Sequence, residues 1–498
     1  MTDQEQQSLA AIKQALSKAM TPPDGMMGKA YVQAGSATSG FTYYDLEAGA
    51  KDLFPVLTPL RNQIPRVSGK GGIQANWRAI TGINTGGISA GVGQGNRGGV
   101  IATTIQDCVA VYKGLGLEDT VTFEAQYAAQ GFDDARGAAA MNTLKALMIQ
   151  EEKIILGGNN SLNLGTTPTP TLVASASGGS LATQTLSVIA VALSMEGYLN
   201  GSIAGGIAAQ VARTNADGST DNFGGGAAQK SANATVAVTG PNGSVAASLA
   251  AVRGAIGYAW FWGAAGAEKL GAITTINSVS ITAVAAGTQT AASLPASDNS
   301  TNALVFDGLL SQVAKAGSNA YFASLATGTA GTGTPLTSDN AGGIVEIDTA
   351  LQSFWDNCRL GPTDIYVSSQ EMANINKKVL AGNANAAQRF TFTVNQGVIA
   401  GGTSVRSYLN KFSLNGVQEI PIRLHPNLPA GTILFCSSTV PYPLSGVANV
   451  LRVLARQDYY QIEWPLKTRK YEYGVYVDEV LQNYFPPAFG MISNIGNG

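Results

Sequence analysis

The run Asp458-Tyr-Tyr-Gln-Ile-Glu-Trp-Pro-Leu-Lys-Thr-Arg-Lys-Tyr-Glu-Tyr-Gly-Val-Tyr-Val-Asp478, leading into Phe485-Pro-Pro-Ala-Phe-Gly-Met-Ile492, decides the fold. Tyr460, Ile462 and Trp464 alternate on one face of a first strand, and Tyr471, Tyr473, Val475 and Val477 on one face of a second. A period of two marks half-buried β structure. A charged turn joins the strands, and no catalytic motif lies within them.

Upstream, the stretch Asp133–Leu156 carries an apolar stripe of Met141, Leu144, Leu147, Met148 and Ile155, closed by Gly157-Gly158-Asn159. That spacing predicts the longest helix of the chain. Between Ile64 and Val111, strand-like Gln74–Ile80 and Val100–Val111 flank a glycine-rich centre from Gly82 to Gly99. A long two-stranded excursion of this kind is marginal alone and needs a surface to lie on. Residues 2–20 read as an amphipathic helix with Leu9, Ile12, Leu16 and Met20 near helical spacing, stopped by Thr21-Pro22-Pro23. It is too small for its own core and needs a neighbouring surface.

Beyond the hinge-like Leu164-Gly-Thr-Thr-Pro-Thr-Pro170, charge nearly vanishes to residue 300. Short strand-like runs recur there at Thr185–Leu193, Thr235–Thr239, Ser244–Val252, Ala255–Gly263 and Ala272–Ala283. Short strands separated by Gly and Asn predict a β-sandwich. Trp260 and Trp262 share one of them. Leu304–Leu310, Gly342–Trp355 and Asp364–Leu380 then read as helix, buried strand and helix, continued by Ile420–Phe435.

The 498 residues suggest several compact units. The charged fraction is 12%, against roughly 25% in ordinary soluble proteins. Much of the surface is therefore weakly charged, as in a subunit covered by its neighbours. A net charge of −2 gives no global attraction to nucleic acid. Met1-Thr-Asp-Gln-Glu-Gln-Gln lacks a secretory n-region, and the longest apolar stretch, Gly254–Ala267, is short of a membrane span. The expectation is a soluble chain, intracellular when made. Cys108, Cys358 and Cys436 are widely spaced and read as free thiols, and the single histidine, His425, excludes multi-histidine metal sites.

The C-terminal strands, with the helix framed by Phe132-Asp-Asp-Ala-Arg136 and Glu151-Glu-Lys-Ile-Ile-Leu-Gly-Gly-Asn159, resemble the major capsid proteins of tailed bacteriophages, the Hong Kong 97-type fold. Val252–Gly263 and Thr274–Thr282 look like strands of an immunoglobulin-like or fibronectin-III-like domain. The resemblance implies an α+β chain divided as N-terminal arm 1–56, E-loop 57–112, P-domain spine helix region 113–164, inserted sandwich 165–300, mainly A-domain 301–440, and P-domain strands with a C-terminal return 441–498. It implies self-assembly into hexamers and pentamers of an icosahedral shell around double-stranded DNA, non-specifically enclosed. Implied partners are a separate scaffolding protein, since no large segment is expected before the arm, a portal, and decoration or cement proteins. The location implied is the virion, with assembly in the host cytoplasm. Alternatives are an encapsulin-like compartment shell and a glycan-binding surface protein that uses the sandwich.

Catalytic, cofactor and metal residues are not expected. Gly93-Gln-Gly-Asn-Arg-Gly98 matches GxGxxG, but a strand-like run follows where a dinucleotide fold needs a helix. Ile64 stands where a phosphate loop ending at Gly69-Lys70 needs glycine. His425 beside Pro426 reads as a structural hydrogen-bonder, with no GxSxG elbow to accompany it. Asp133-Asp134 and Glu151-Glu152 are sequential pairs whose members point about 100° apart, which suits helix-end electrostatics and neighbour-subunit ion pairs better than acid–base work. The intersubunit contact candidates are Lys70, Arg78, Arg97, Glu463, Lys467, Arg469 and Lys470, the last four around the charged turn that also holds Glu472.

Overall fold

The structure is a computed structural model that describes residues 51, 53–84, 90–130, 134–294, 296–381, 405–413 and 416–498. The arm helix, Asp133 and residues 85–89 of the Gly82–Gly99 tip lie outside the described residues. The chain divides into two compact units, Met1–Phe54 with Tyr127–Asp134, and Pro55–Gln126 with Ala135–Gly498. Of the first, only residues 51, 53, 54, 127–130 and 134 are described. The rest of the architecture belongs to the second.

That unit opens with the short helix α1 (Pro59–Gln63) and strand β1 (Arg66–Ser68). Strands β2 (Gln74–Asn84) and β3 (Ala102–Val111) form an isolated antiparallel hairpin in which Trp77 faces Cys108 and Ile80 faces Ile105. Strand β4 (Lys113–Thr122) and helix α2 (Phe123–Ala129) lead to α3 (Ala135–Gly157), whose 23 residues span about 35 Å. Leu147, Ile155 and Leu156 are its buried face. Met141, counted in the apolar stripe, is 53% exposed, because the first turns of α3 carry few apolar neighbours at the spacing that would pull it inward.

The next segment carries β5 (Thr171–Ser175), β6 (Gln184–Leu193), α4 (Met195–Asn200), β7 (Gln210–Thr214), β8 (Thr220–Gly224), β9 (Ala234–Val238), β10 (Ser244–Ser248), β11 (Gly257–Gly263), β12 (Lys269–Thr274) and β13 (Ser278–Ile281). They form a sheet ordered β13-β10-β5, a sheet ordered β12-β11-β6-β9, and a separate β7–β8 hairpin. Val188, Ala190 and Trp260 of one sheet share a core with Val245, Ala247 and Ile281 of the other. The opposite face of β6 and β11 is also covered, with Ile189, Val191 and Phe261 packed on Ile207 and Leu294. Burial on both faces is why these strands read as unbroken apolar runs instead of alternating ones. Trp260 and Trp262 satisfy their indole N–H groups on Thr274 Oγ1 and the Ala283 carbonyl, each at 2.9 Å. Entry and exit of the segment lie together: Leu164 N donates to Ser300 Oγ at 3.0 Å and Gly165 N to Asp298 Oδ2 at 2.7 Å.

The remainder holds α5 (Leu309–Ala314), β14 (Tyr321–Ser324), α6 (Val345–Cys358), β15 (Asp364–Val367), α7 (Ser369–Ala381), β16 (Ser407–Asn410), β17 (Gln418–Leu424), β18 (Ile433–Cys436), β19 (Leu451–Glu463), β20 (Lys470–Asn483) and β21 (Gly490–Ser493). A mixed sheet runs β14-β21-β18-β15-β17-β16. The stretch Gly342–Trp355, expected as a buried strand, is instead helix α6 from Val345, and the buried strand is β15. Ile347, Leu351 and Phe354 of α6 recur at helical spacing and pack in one core with Ile365, Phe435 and Phe489. The C-terminal strands pair over nearly their whole length and complete the sheet β1-β19-β20-β4, on which α3 lies. Tyr473, Val475 and Val477 are buried as the alternation requires. Trp464 falls just past the end of β19 and is 39% exposed, so the first strand's inward set stops at Ile462. The sequence expectation of a helix at Leu304–Leu310 is met only from Leu309, since Asn302 Oδ1 accepts the Leu304 N–H at 3.0 Å and holds the preceding residues in a turn. Among the described residues no helix is long and apolar enough to cross a membrane.

Candidate functional site

The β2–β3 hairpin carries its side chains on two unlike faces. Ala75, Trp77, Cys108 and Ala110 are half-buried on one. On the other, Ile80, Ile105, Val109 and Val111 are 41–68% exposed, with Arg78 and Asp107 paired between them at 2.8 Å. The exposed stripe continues through Ile83, Val100 and Ile101. The inner face is supported, with Ala75 and Ala110 packed on the main core and Trp77 edge-on to Tyr484 at 5.9 Å. Isolated exposed apolar residues are ordinary, whereas a contiguous stripe on the outer face of such a ribbon is a candidate interaction surface. The glycine motif Gly93–Gly98 lies in the exposed connection, with a turn at Gln94-Gly95 and strand β3 after it in place of the helix a dinucleotide fold requires.

The contact candidates divide into two groups. Arg78 is held by Asp107, Glu463 by Arg136 at 2.6 Å, Arg469 by Glu124 at 2.7 Å and Lys470 by Glu472 at 3.2 Å. The first three pairs brace neighbouring elements of the chain and the last lies within β20. Each such exposed pair is worth little in water. Arg136 also lies over the Tyr471 ring at 4.2 Å, which ties the start of α3 to β20. Lys70, Arg97 and Lys467 have no ion-pair partner among the described residues. Lys70 lies between β1 and β2, Arg97 in the hairpin connection and Lys467 in the β19–β20 turn. The structure therefore does not gather the seven into one site.

The charged group that the structure does gather is buried. Glu151 and Glu479 are fully buried, and Arg66 bridges them, donating to Glu151 through Nη1 and to Glu479 Oε2 through Nη2 at 2.8 Å. Arg61 Nε donates to Glu151 Oε2 at 2.8 Å, and the Tyr459 hydroxyl donates to the same carboxylate. Asp458, at the rim, accepts from Arg66 at 3.1 Å. Five elements, α1, β1, α3, β19 and β20, thus meet at one guanidinium–carboxylate lattice. Burial, then the neighbouring Glu151, pushes the Glu479 carboxyl up to about 8 against the pull of Arg66. Burial lowers and Glu479 and Glu151 raise the Arg66 guanidinium, the net being upward.

Glu152, one residue on, points to a different place, as the helical offset requires. Its oxygens accept the backbone N–H groups of Leu60 at 2.9 Å and Arg61 at 2.7 Å, and Oε1 lies 2.7 Å from His425 Nε2. His425 Nδ1 accepts from Asn427 N at 3.2 Å, so Nε2 carries the hydrogen and donates to Glu152. His425 is the structural hydrogen-bonder expected. The reading of Glu151 and Glu152 as partners of a neighbouring subunit is corrected: both are wholly buried and paired within the chain. Sequence reasoning missed the lattice because its partners stand far apart, from 85 residues for Arg66–Glu151 to 413 for Arg66–Glu479.

Among the described residues no group of three His, Cys, Asp or Glu could hold a metal. The three thiols are free, with Cys436 buried and its thiol pushed well up by burial.

No protein-family description matches the sequence, and no curated protein does. Solved structures with a similar chain include the capsid of a native GTA particle, with 8% identity, TM-score 0.41, and 92% of this chain and 96% of that one covered. The capsid of cyanophage A-1(L) gives 11% identity and TM-score 0.41 over 91% and 97%. A holo-encapsulin complex from Synechococcus elongatus gives 9% and 0.39 over 90% and 93%. At these TM-scores the likenesses decide neither fold nor function, which rest on the topology and surfaces described above.

Proposed function

We propose that this chain is a major capsid protein of the Hong Kong 97 type, assembling into hexamers and pentamers of an icosahedral shell that encloses double-stranded DNA. The observation that carries the reading is the β2–β3 hairpin, whose outer face exposes Ile80, Ile105, Val109 and Val111 with none of the described residues covering it. A neighbouring copy that covers this stripe removes apolar surface worth about 25 cal/mol per Å². Many such modest contacts, each repeated by symmetry, hold a closed shell without covalent chemistry. The low charge of the surface suits the same role, and the seven contact candidates belong to this reading.

In this proposal the long helix α3 and the sheet β1-β19-β20-β4 form a rigid plate, locked by the buried Arg66 lattice. The two-sheet segment, 165–300, is an inserted domain. Scaffolding, portal and decoration proteins are its proposed partners, assembly takes place in the host cytoplasm, and the work is structural instead of enzymatic. Electron microscopy of particles purified from cells that express the chain tests the reading. Closed icosahedral shells that fill with double-stranded DNA in the presence of packaging machinery support it. Shells that hold an enzyme cargo would replace it with the compartment reading, and monomers that bind glycans through the sandwich with the surface-protein one.

A further inference from the structure

Strand β1 is fastened to its sheet by one side chain. Its three residues pair in parallel with Val453–Ala455, Gly69 N donating to the Ala455 carbonyl at 2.7 Å and Val453 N to the Pro65 carbonyl at 3.0 Å. Val67 and Ser68 are exposed, so β1 buries no apolar side chain and Arg66 is its anchor. The chain on either side is fastened independently, α1 by buried Leu60 and Ile64 and by Glu152, and the hairpin by Ala75, Ala110 and Trp77. The charges around the anchor do not balance. Glu151 of α3, Glu479 of β20 and Asp458 of β19 surround Arg66, and only Arg61 of α1 adds a second positive charge. Tyr459 of β19 donates its hydroxyl to Glu151, and Lys113 of β4, opposite Glu479 in the ladder, turns its ammonium to the Ala303 carbonyl. Three carboxyls thus face two guanidiniums, and a surplus negative charge is very unfavourable in a buried site, so one carboxyl holds a proton. Asp458 lies at the exposed rim and both oxygens of Glu151 accept hydrogen bonds, whereas Glu479 Oε1 is buried and receives none from the described residues. Glu479 is the carboxyl that holds it, in line with the upward push that burial and Glu151 exert on its affinity for the proton.

We infer that β1 is a proton-dependent strap: with Glu479 neutral, Arg66 pins β1 over the β19 edge, and with Glu479 ionised the surplus charge draws in water and residues 65–69 lift from the sheet. Arg66 is where the strap opens because its side chain, 20% exposed, lies between water and two carboxylates that are fully buried. Opening uncovers the β19 edge, a row of main-chain groups able to take another strand. The strap works within a single subunit and stands whether or not shells form.

The test follows hydrogen exchange of the full-length, unassembled chain from pH about 5 to about 9, each rate divided by its intrinsic value at that pH. The amides of Gly69 and Val453 report on β1, and those of the β19–β20 ladder report on the rest of the sheet. The expected result is a loss of protection at Gly69 and Val453 of about tenfold per pH unit, the signature of one proton, ending near pH about 8 while the ladder stays protected. In Glu479→Gln, which cannot ionise, both amides are expected to keep the same protection across the range. A parent in which Gly69 and Val453 show no loss, or lose protection only together with the ladder, overturns the inference, and that arm decides even where the variant fails to fold. A selective loss that persists in Glu479→Gln overturns it as well, since the proton then sits elsewhere.

Discussion

Asn277 and Asn494 hydrogen-bond to each other in both directions, the Asn277 N–H donating to Asn494 Oδ1 at 2.8 Å and Asn494 Nδ2 donating back to Asn277 Oδ1 at 3.1 Å. Both are buried. Asn277 lies between β12 and β13 of the two-sheet segment and Asn494 directly follows β21, the strand that returns to the mixed sheet. Asn277 Nδ2 also reaches the Leu249 carbonyl at 2.6 Å and Thr327 Oγ1 at 2.9 Å, while Asn494 Nδ2 reaches the Leu325 carbonyl at 2.7 Å. The pair stitches the segment to the rest of the chain through groups that water cannot replace.

Removing either side chain leaves buried partners unpaired, so Asn277→Ala is expected to cost about 2–4 kcal/mol for two or more lost bonds. Asn494 sits at φ +60°, a conformation glycine adopts without strain. Asn494→Gly therefore isolates the loss of the side chain, and Asn494→Ala adds about 1 kcal/mol of backbone strain. Calorimetry of the single and double variants checks this, with a double-variant cost well below the sum of the singles. Additive costs would mean the two residues do not act as a unit.

Ile80 and Ile105 face each other across the hairpin and are 68% and 56% exposed. Replacing them with Lys and Glu respectively keeps a favourable cross-strand pair and is expected to change subunit stability by less than about 0.5 kcal/mol. Particle yield, by sedimentation, is expected to collapse. Normal yield would show that the stripe is not an assembly surface.

Glu479 gives a pH prediction with a definite sign. Its carboxyl titrates near the ordinary value of 4.5 when unfolded and is pushed up to about 8 when folded. The folded state therefore binds the proton more tightly, and this contribution to stability is complete below pH about 4.5 and lost as pH rises to about 8. Glu479→Gln cannot ionise and is expected to flatten the fall in melting temperature across that window. Arg66 keeps Glu151 as a partner in the variant. An unchanged slope would assign the pH dependence elsewhere.

Leu147 is 2% exposed on the buried face of α3. Leu147→Asp places a charge among apolar side chains and is expected to cost more than about 4 kcal/mol, enough to send the chain to the insoluble fraction. Soluble protein with the parent's melting temperature would mean that the helix packs on another face.

How far the sequence carried can be judged element by element. The alternation Tyr473, Val475, Val477 places β20 because Tyr476 and Asp478 between and after them are less buried, whereas Glu479–Asn483 are buried on both faces and carry no such alternation. Helix α3 was legible because its apolar spacing and the glycines after it agree. The strands β6 and β11 were found, but not their two-sided burial, since a continuous apolar run does not say what covers each face. The β7–β8 hairpin escaped because Gln210–Gly224 is polar and exposed, although Asp217-Gly218 between its strands is a hairpin signal. The run Ala272–Ala283 reads as one strand, whereas Asn277 breaks it into β12 and β13 by spending its bonds on Asn494, Leu249 and Thr327. The Arg66 lattice left no local signal, for a charge says nothing about a partner that only the sheet order brings near.

The last prediction concerns residues 165–300 as a unit. Their chain enters and leaves through hydrogen-bonded neighbours, Leu164 with Ser300 and Gly165 with Asp298, so a short Gly-Ser linker can replace residues 166–298 without stretching the flanks. The segment also grips the rest of the subunit: Arg253 Nε donates to the Ala314 carbonyl at 2.6 Å, and its guanidinium lies 4.5 Å from the centre of the Phe322 ring. Arg213 and Phe223 of the β7–β8 hairpin line a cavity with Leu147 and Ile154 of α3. A segment held by Arg253, by the Asn277–Asn494 pair and by Met195, which packs in one core with Leu147 and Leu156, acts as a clamp on the plate and the mixed sheet, which is the role we propose for it ahead of glycan binding. The linker variant is then expected to assemble, because the hairpin stripe is untouched, into shells that melt at lower temperature and release DNA more readily under osmotic shock. Shells as robust as the parent's that have lost adsorption to host cells would overturn the clamp and assign the segment to binding.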